Sequence, residues 1–154
     1  MAREGYDDSL YSLLDKRCKI RVERAQRFVG AQTCSHEAAQ HGRVHCLEVL
    51  QKAGVITKHK NQNGDTPLLL AVRGGHAETA LWLLNNASEE KDAKNNNGDT
   101  PLLLAVRGGH AQIAQRLLKD GADKDAKNND GDTPLLFAIK NGWIDTAEHL
   151  IAAG

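Results

Sequence analysis

The sequence predicts an all-α repeat solenoid that forms a single elongated domain, and two observations carry that prediction. The residues NGDTPLLLAVRGGHA at positions 63–77 recur letter for letter at positions 97–111, and a looser copy, DGDTPLLFAIKNGWI, occupies positions 130–144. The glycines that precede Asp-Thr-Pro are 34 and then 33 residues apart. A period of that length is typical of stacked helical repeats, because one short unit cannot bury its apolar face alone.

Each repeat begins with a tight turn that leads into a helix. In the copy at positions 63–77, the Asn63-Gly64 dipeptide adopts positive φ at low cost and marks the tip of the turn. Thr66 can cap the helix by accepting a hydrogen bond from a helix amide, and Pro67 suits the first helical position because its missing N–H has no helical partner. The equivalent residues of the later copies are Asn97, Gly98, Thr100, Pro101, Thr133 and Pro134.

A second helix follows the first in each unit. The apolar run at positions 68–72 is followed by Gly74-Gly75, which predicts the end of the first helix, and a second helix is expected to open at His76. Ala80, Leu83 and Leu84 then fall on one helix face at three- and four-residue spacing. The unit is therefore a turn, a short helix, a tight loop and a longer helix.

Composition agrees with a thin helical array and excludes several classes of protein. The 154 residues are 40% hydrophobic but only 4% aromatic, which predicts a long, thin core of Leu and Ala. The formal net charge of zero gives no general affinity for nucleic acid or an anionic membrane. No apolar run is long enough to span a bilayer, and the first ten residues lack the apolar stretch of a signal peptide. Three cysteines form no even disulfide framework, which favours an intracellular, cytoplasmic location.

The repeated letters closely resemble the ankyrin repeat. The resemblance rests on Gly-x-Thr-Pro-Leu, then Ala, then Gly-His, then a Leu-Leu pair that Gly-Ala-Asp closes at positions 117–123, and it covers at least positions 33–154. The family usually has His after Thr-Pro-Leu, whereas Leu69, Leu103 and Leu136 stand here. That difference removes a polar contact and adds apolar area. The resemblance implies helix-loop-helix units joined by β-turn or hairpin fingers.

The resemblance also divides the chain into units. Residues 1–32 are expected to form an N-terminal capping half-repeat with a basic connection, followed by repeats at about 33–57, 58–91, 92–124 and 125–154. Six cations crowd the connection against Glu23 alone, so residues 9–29 form either one amphipathic helix or a helix plus an extended basic finger. These cations are Lys16, Arg17, Lys19, Arg21, Arg24 and Arg27. The last repeat keeps apolar residues where a terminal repeat should be polar, so we expect either that the array continues beyond this end, which we favour, or that another surface covers it. The chain is expected to be a monomer or part of a longer array.

The repeat at positions 33–57 concentrates possible metal ligands, namely Cys34, His36, His41, His45 and Cys46. His41 and His45 are four residues apart, as helix-borne ligands are, but Gly42 between them marks the inter-helix loop. Cys46 aligns with core positions of the second helix, where a thiol acts as a small apolar residue. We therefore expect these residues to be structural, with no metal or other cofactor and no Cys-His catalytic pair.

Stacking places equivalent surface residues in rows, and these rows are the predicted partner-binding site. In the ankyrin family, finger and first-helix positions face the concave groove that holds partners, which implies the same role for the matching residues here. One row, at the base of the fingers, is Lys60, Lys94 and Lys127. The other rows are Asp65, Asp99 and Asp132 before Thr-Pro, and Arg73, Arg107 and Lys140 near the first-helix ends. The finger tips carry Gln62, Asn63, Asn96, Asn97, Asn129 and Asp130.

These features predict a noncatalytic module that binds a partner protein of unknown identity, without nucleic acid and without membrane insertion. No phosphate loop, His-Glu-x-x-His, Cys-x-x-Cys or nucleophile motif is present. In this interpretation Asp65, Arg73 and their copies are free to bind. The alternative is a structural spacer or regulatory segment of a larger multidomain protein. A metal-binding or enzymatic role for the Cys and His residues ranks third.

Overall fold

A computed structural model of the chain describes residues 34–52, 59–86 and 90–153, which form eight helices and no strand. The helices are α1 (Cys34–Gln40), α2 (Val44–Lys52), α3 (Pro67–Arg73), α4 (Ala77–Asn86), α5 (Pro101–Arg107), α6 (Ala111–Lys119), α7 (Pro134–Lys140) and α8 (Ile144–Ala152). The expected half-repeat, the basic connection and the two alternatives for residues 9–29 lie outside the described residues.

The helices form two layers. The odd-numbered helices contact one another in order along the first layer, and the even-numbered helices do the same along the second. Each odd-numbered helix also packs against the even-numbered helix that follows it. This arrangement confirms the all-α repeat solenoid, with turns serving as the fingers between repeats. Within the described ranges, no helix is both long and apolar enough to cross a membrane.

The first helix of each Thr-Pro repeat starts where the sequence places its cap. The Thr66 hydroxyl accepts a hydrogen bond from the Leu69 amide at 3.3 Å, and Pro67 occupies the first helical position of α3. Thr100 and Thr133 cap α5 and α7 in the same way, each at 3.2 Å. Because a side-chain N-cap contributes about 1 kcal/mol to helix stability, the Thr-Pro dipeptide fixes these helix starts.

Glycine ends the first helix and turns the chain toward the second. Gly75 adopts φ +70°, a left-handed conformation that costs glycine little because it lacks a Cβ. The His76 amide then donates to the Ala71 carbonyl at 3.0 Å. The second helix, α4, begins at Ala77, one residue later than the sequence predicts.

The core is a continuous array of Leu and Ala side chains that passes through every described repeat, as predicted. Leu69 and Leu103, which replace the family's usual His, are completely buried in this core. Full burial of a leucine side chain contributes about 1.5–3 kcal/mol, so the replacement adds stability through apolar contact. Their counterpart in the last repeat, Leu136, is 38% exposed because α5 is the only first-layer neighbour of α7 among the described helices.

The ring of a His or Trp side chain in one repeat packs against a loop glycine of the preceding repeat. The pairs are His76 on Gly42, His110 on Gly75 and Trp143 on Gly109. A Cβ added at Gly75 would lie 2.6 Å from the His110 ring, closer than Cβ atoms approach their neighbours in proteins. The glycines of the inter-helix loops therefore serve the stacking of repeats as well as the ending of helices. The sequence predicts only the second of these roles.

Candidate partner-binding groove

An asparagine three residues before the finger glycine closes each finger. In the finger at positions 95–99, the Asn95 Oδ1 atom accepts hydrogen bonds from the amides of Asn97 and Asp99 at 3.0 and 2.9 Å. Gly98 alone supplies the positive φ of this turn, at +75°. The same two bonds close the other fingers around Asn61 and Asn128. These asparagines are not among the residues predicted for the site, although their recurrence at one repeat position is visible in the sequence.

Hydrogen bonds between neighbouring fingers hold the tips in register. The Asn96 amide donates to the Asn63 carbonyl at 3.0 Å, and the Asn96 Nδ2 atom donates to the Gln62 carbonyl at 2.9 Å. One finger later, Asn129 makes the same two kinds of bond to the carbonyls of Asn97 and Asn96, each at 2.9 Å. The finger tips therefore present a fixed surface of primary amides.

The lysine row, Lys60, Lys94 and Lys127, links the finger bases. The Lys60 Nζ atom donates to the Lys94 carbonyl at 2.8 Å, and the Lys94 Nζ atom donates to the Lys127 carbonyl at 3.1 Å. A lysine ammonium carries three donors, so Lys60 and Lys94 each keep two beyond this bond. All three lysines are exposed. The row thus combines a fixed position with available positive charge.

A buried carboxylate holds each groove arginine. Asp65 accepts hydrogen bonds from both terminal nitrogens of Arg73, at 2.7 and 2.8 Å, and from the Asn95 Nδ2 atom of the next finger at 3.1 Å. The following repeat builds the same cluster from Asp99, Arg107 and Asn128, at distances of 2.8, 3.1 and 3.2 Å. Such bidentate, charge-assisted pairs fix the plane of the guanidinium group.

The burial of these carboxylates corrects the expectation that they are free to meet a partner. The Asp65 and Asp99 side chains are 0% and 2% exposed, whereas Arg73 and Arg107 are 45% and 40% exposed. A buried carboxylate without partners is costly, which explains why each is surrounded by three donors. Asp65 and Asp99 therefore position the arginines, and the arginines are the part of each cluster that faces solvent.

The fourth repeat departs from this pattern. Lys140 replaces arginine and makes a single hydrogen bond to the Asp132 carboxylate at 3.1 Å. Phe137 replaces leucine, and the Arg107 guanidinium carbon lies 4.6 Å from the centre of its ring. A cation over an aromatic face at such a distance gains about 0.5–1 kcal/mol at an exposed site. Arg107 is therefore held by a ring as well as by a carboxylate.

The fingers and first-helix ends of the second and third repeats enclose an open concavity of about 430 Å³. It is lined by Asn63, Asp65, Arg73, Asn95, Asn96, Asn97, Asp99 and Arg107. All of these except Asn95, which closes a finger, are predicted site residues. The other predicted site residues lie outside this concavity, along the exposed fingers and in the fourth repeat: Lys60, Gln62, Lys94, Lys127, Asn129, Asp130, Asp132 and Lys140.

The histidines of the first described repeat do not converge on a common site. His41 lies 3.6 Å from the Glu37 carboxylate and His45 lies 3.3 Å from the Glu48 carboxylate, so each pairs with its own neighbour. Across the three described stretches, no group of three or more His, Cys, Asp or Glu side chains is arranged to hold a metal ion.

Three further residues of this repeat are internal. The His36 Nε2 atom donates to the Asp65 carbonyl at 3.0 Å, and burial lowers the pKa of His36 although hydrogen bonds to the backbone of Asp65 and His59 oppose the shift. Cys34 is a free thiol whose pKa is raised by burial, which makes it a poorer nucleophile. Cys46 is disulfide-bonded, so the cysteine count no longer supports an assignment of compartment.

The repeated units and the groove between them define the class of this protein. The family of ankyrin repeats (three copies) matches residues 1–95 and 87–154, and the chain therefore belongs to the ankyrin-repeat family. The chain is also similar to the Notch-regulated ankyrin repeat-containing protein B of Danio rerio. The two are 28% identical over 91 residues, which span 59% of this chain and 82% of that protein. Ankyrin repeats are generally noncatalytic modules for protein–protein interaction.

Proposed function

We propose that this chain binds a partner protein, without catalysis, through the concave surface that its fingers and first helices share. The observation that carries the proposal is the pair of exposed arginines, Arg73 and Arg107, each fixed by a buried carboxylate at a concavity of about 430 Å³. Side chains that are already fixed lose little conformational entropy when a partner binds. Such a surface is suited to recognition of a defined arrangement of groups.

The proposed contact surface continues from the concavity onto the finger tips and the lysine row. Inter-finger hydrogen bonds of 2.8–3.1 Å support this extension, because they hold both features in place. We also propose the division into repeats at about 33–57, 58–91, 92–124 and 125–154, preceded by a capping segment at residues 1–32. The family match that begins at residue 1 supports including that first segment in the array.

The proposal is tested by filling the groove without disturbing its internal bonds. Asn63 and Asn97 line the concavity, and within the described residues their hydrogen bonds run through backbone atoms. The double variant Asn63→Trp/Asn97→Trp should therefore fold normally and lose proteins that the wild type captures from an extract of its source cells. Gln112→Trp/Gln115→Trp, which adds the same two rings to exposed positions of α6, is the matched control and should retain them.

A second function, that of a spacer in a larger protein, is favoured by the identical stretches at positions 63–77 and 97–111. Identical copies present the same residues at each step, which suits regular stacking better than recognition of an irregular partner. The same experiment separates the two functions. If the captured proteins are unchanged in both tryptophan variants, groove binding is refuted and the spacer remains.

A further inference from the structure

We infer that the partner segment in the groove is an extended, acidic stretch of protein whose carboxylates pair with the lysine row and the two groove arginines. This inference rests on the proposed function and names the chemistry of its partner. Four observations support it: the distribution of hydrogen-bond donors, the sign of the exposed charges, the amide-bearing finger tips, and a change in charge at the fourth finger.

The charged groups that face the groove offer donors and almost no acceptors. Each arginine carries five N–H donors, and Arg73 and Arg107 each direct two toward a buried carboxylate. About three donors per guanidinium therefore remain for a ligand. The acceptors of the same clusters, the Asp65 and Asp99 carboxylates, are enclosed beneath the arginines. A surface of this kind is complementary to a ligand rich in acceptors, and carboxylates are the strongest acceptors that a protein segment offers.

Most of the exposed charges of this surface are positive although the chain as a whole is neutral. Its cations are Lys60, Arg73, Lys94, Arg107, Lys127 and Lys140. Against these six stand four carboxylates, of which Asp65 and Asp99 are buried, Asp132 is partly buried and only Asp130 is exposed. Six positive charges against four negative ones leave a local excess of +2, and two of the four carboxylates are buried. Such an arrangement attracts an anionic partner and favours it over neutral or cationic competitors.

The finger tips favour an extended protein segment over other anions. Asn63, Asn96 and Asn97 present primary amides, which can both donate to and accept from the backbone of a peptide. A membrane surface is flat, whereas this site is concave. Single-stranded nucleic acid is usually held by aromatic stacking, and only 4% of the chain is aromatic. The amides and the cations together therefore suit a peptide backbone that carries acidic side chains.

The finger of the fourth repeat determines how the acidic segment is aligned along the repeats. Asp130, an exposed carboxylate, stands where the two preceding fingers carry Asn63 and Asn97. It disfavours an acidic side chain at that step, because like charges at an interface repel. The acidic residues of the partner should therefore lie against the second and third repeats, and a neutral or basic residue should lie against the finger of the fourth repeat.

The test uses a labelled oligoglutamate peptide, with an oligoglutamine peptide of equal length as the neutral control, at low ionic strength. We expect oligoglutamate to bind the whole chain and oligoglutamine not to bind. Lys60→Glu/Lys94→Glu should weaken binding roughly tenfold, since two exposed ion pairs are lost and reversed. Lys52→Glu/Lys119→Glu makes the same change of net charge on exposed positions of the second helices and should alter affinity by less than about twofold. Asp130→Asn should strengthen binding about twofold.

Each other outcome has a defined meaning. If Lys60→Glu/Lys94→Glu and Lys52→Glu/Lys119→Glu weaken oligoglutamate binding equally, the inference is overturned, because binding then responds to net charge alone. Tighter binding of an oligouridylate RNA, weakened by the same groove variant, would overturn it in favour of nucleic acid. If the captured cellular partner is lost in the tryptophan groove variant but kept in Lys60→Glu/Lys94→Glu, the acidic segment is refuted while groove binding stands. The neutral variant Lys60→Gln/Lys94→Gln should weaken oligoglutamate binding by an intermediate amount. If Lys60→Glu/Lys94→Glu does not fold, the affinity of this neutral variant is measured in its place.

Discussion

The third and fourth repeats share most of their letters but not their surroundings, and the contrast shows what stacking contributes. In the third repeat, α5 packs between α3 and α7, and Leu103 is completely buried. In the fourth, α5 is the only first-layer neighbour of α7 among the described helices, Leu136 is 38% exposed and Ile139 is 64% exposed. Burial in this fold is therefore supplied by the repeat that follows as much as by the repeat itself.

The polar clusters show the same contrast. Asp99 receives two bonds from Arg107 and a third from Asn128 of the next finger, whereas the ion pair of Asp132 is a single 3.1 Å bond to Lys140. Each carboxylate that holds a groove arginine thus also accepts a hydrogen bond from the next finger. The proposed binding surface and the stability of the array therefore depend on the same junctions.

The largest expected effect is on the core. Leu103→Ala removes a fully buried side chain and should lower the free energy of unfolding by about 2–5 kcal/mol, whereas Leu136→Ala should cost about 1 kcal/mol. Urea unfolding followed by circular dichroism measures both. Equal losses at the two positions would contradict the contrast between covered and open repeats.

The next effect concerns the carboxylates. Asp99→Asn weakens a charge-assisted cluster in a buried place and should cost about 2 kcal/mol, while Asp132→Asn should cost less than about 0.5 kcal/mol because its ion pair with Lys140 is partly exposed. Unfolding midpoints in urea give the comparison. A loss at Asp132 as great as that at Asp99 would mean that the Asn128 contact adds nothing.

A smaller difference in stability is expected between alanine substitutions at two glycines that have the same conformation. Gly75 and Gly142 have φ of +70° and +69°, so the strain of an alanine is common to both. At Gly75 the new Cβ would also meet the His110 ring, while at Gly142 nothing lies within 4 Å. Gly75→Ala should therefore be less stable than Gly142→Ala by about 1–2 kcal/mol in thermal unfolding. Identical melting temperatures would show that the ring moves aside freely.

The smallest effect is a dependence of stability on pH at the other end of the described array. Burial lowers the pKa of His36, so the unfolded chain binds its proton first as the pH falls. The contribution of neutral His36 to stability is present above about pH 6.5 and is lost below it, with a slope of at most about 1.4 kcal/mol per pH unit. When the pH is lowered from neutral to mildly acidic, the urea concentration at the midpoint of unfolding should fall less in His36→Gln than in wild type. The exposed His149→Gln is the control and should behave as wild type.

The sequence predicts the local parts of this structure well. Thr66 and Pro67 mark the start of α3, Gly74 and Gly75 its end, and the spacing of Leu83 and Leu84 gives the buried face of α4. Each of these features is determined by residues within a few positions of one another. Local hydrogen bonding and helical periodicity are therefore enough to predict them.

The contacts that build the groove join distant residues, and the sequence does not reveal them. Asp65 meets Asn95 of the next finger, 30 positions away, and the His76 ring packs on Gly42, 34 positions earlier. Aspartate is usually exposed, so nothing in its local context predicted that Asp65 would be buried. Because this long-range contact helps to bury Asp65, the residue positions an arginine instead of binding a partner itself.

Site-specific photo-cross-linking in living cells tests most directly whether the groove holds the partner. A photoreactive amino acid at position 97, at a finger tip that lines the concavity, should capture a protein, and the same group at position 115, on an exposed face of α6, should not. The captured protein should be cross-linked through an acidic segment. Capture from position 115 but not from position 97 would contradict the groove as the binding site.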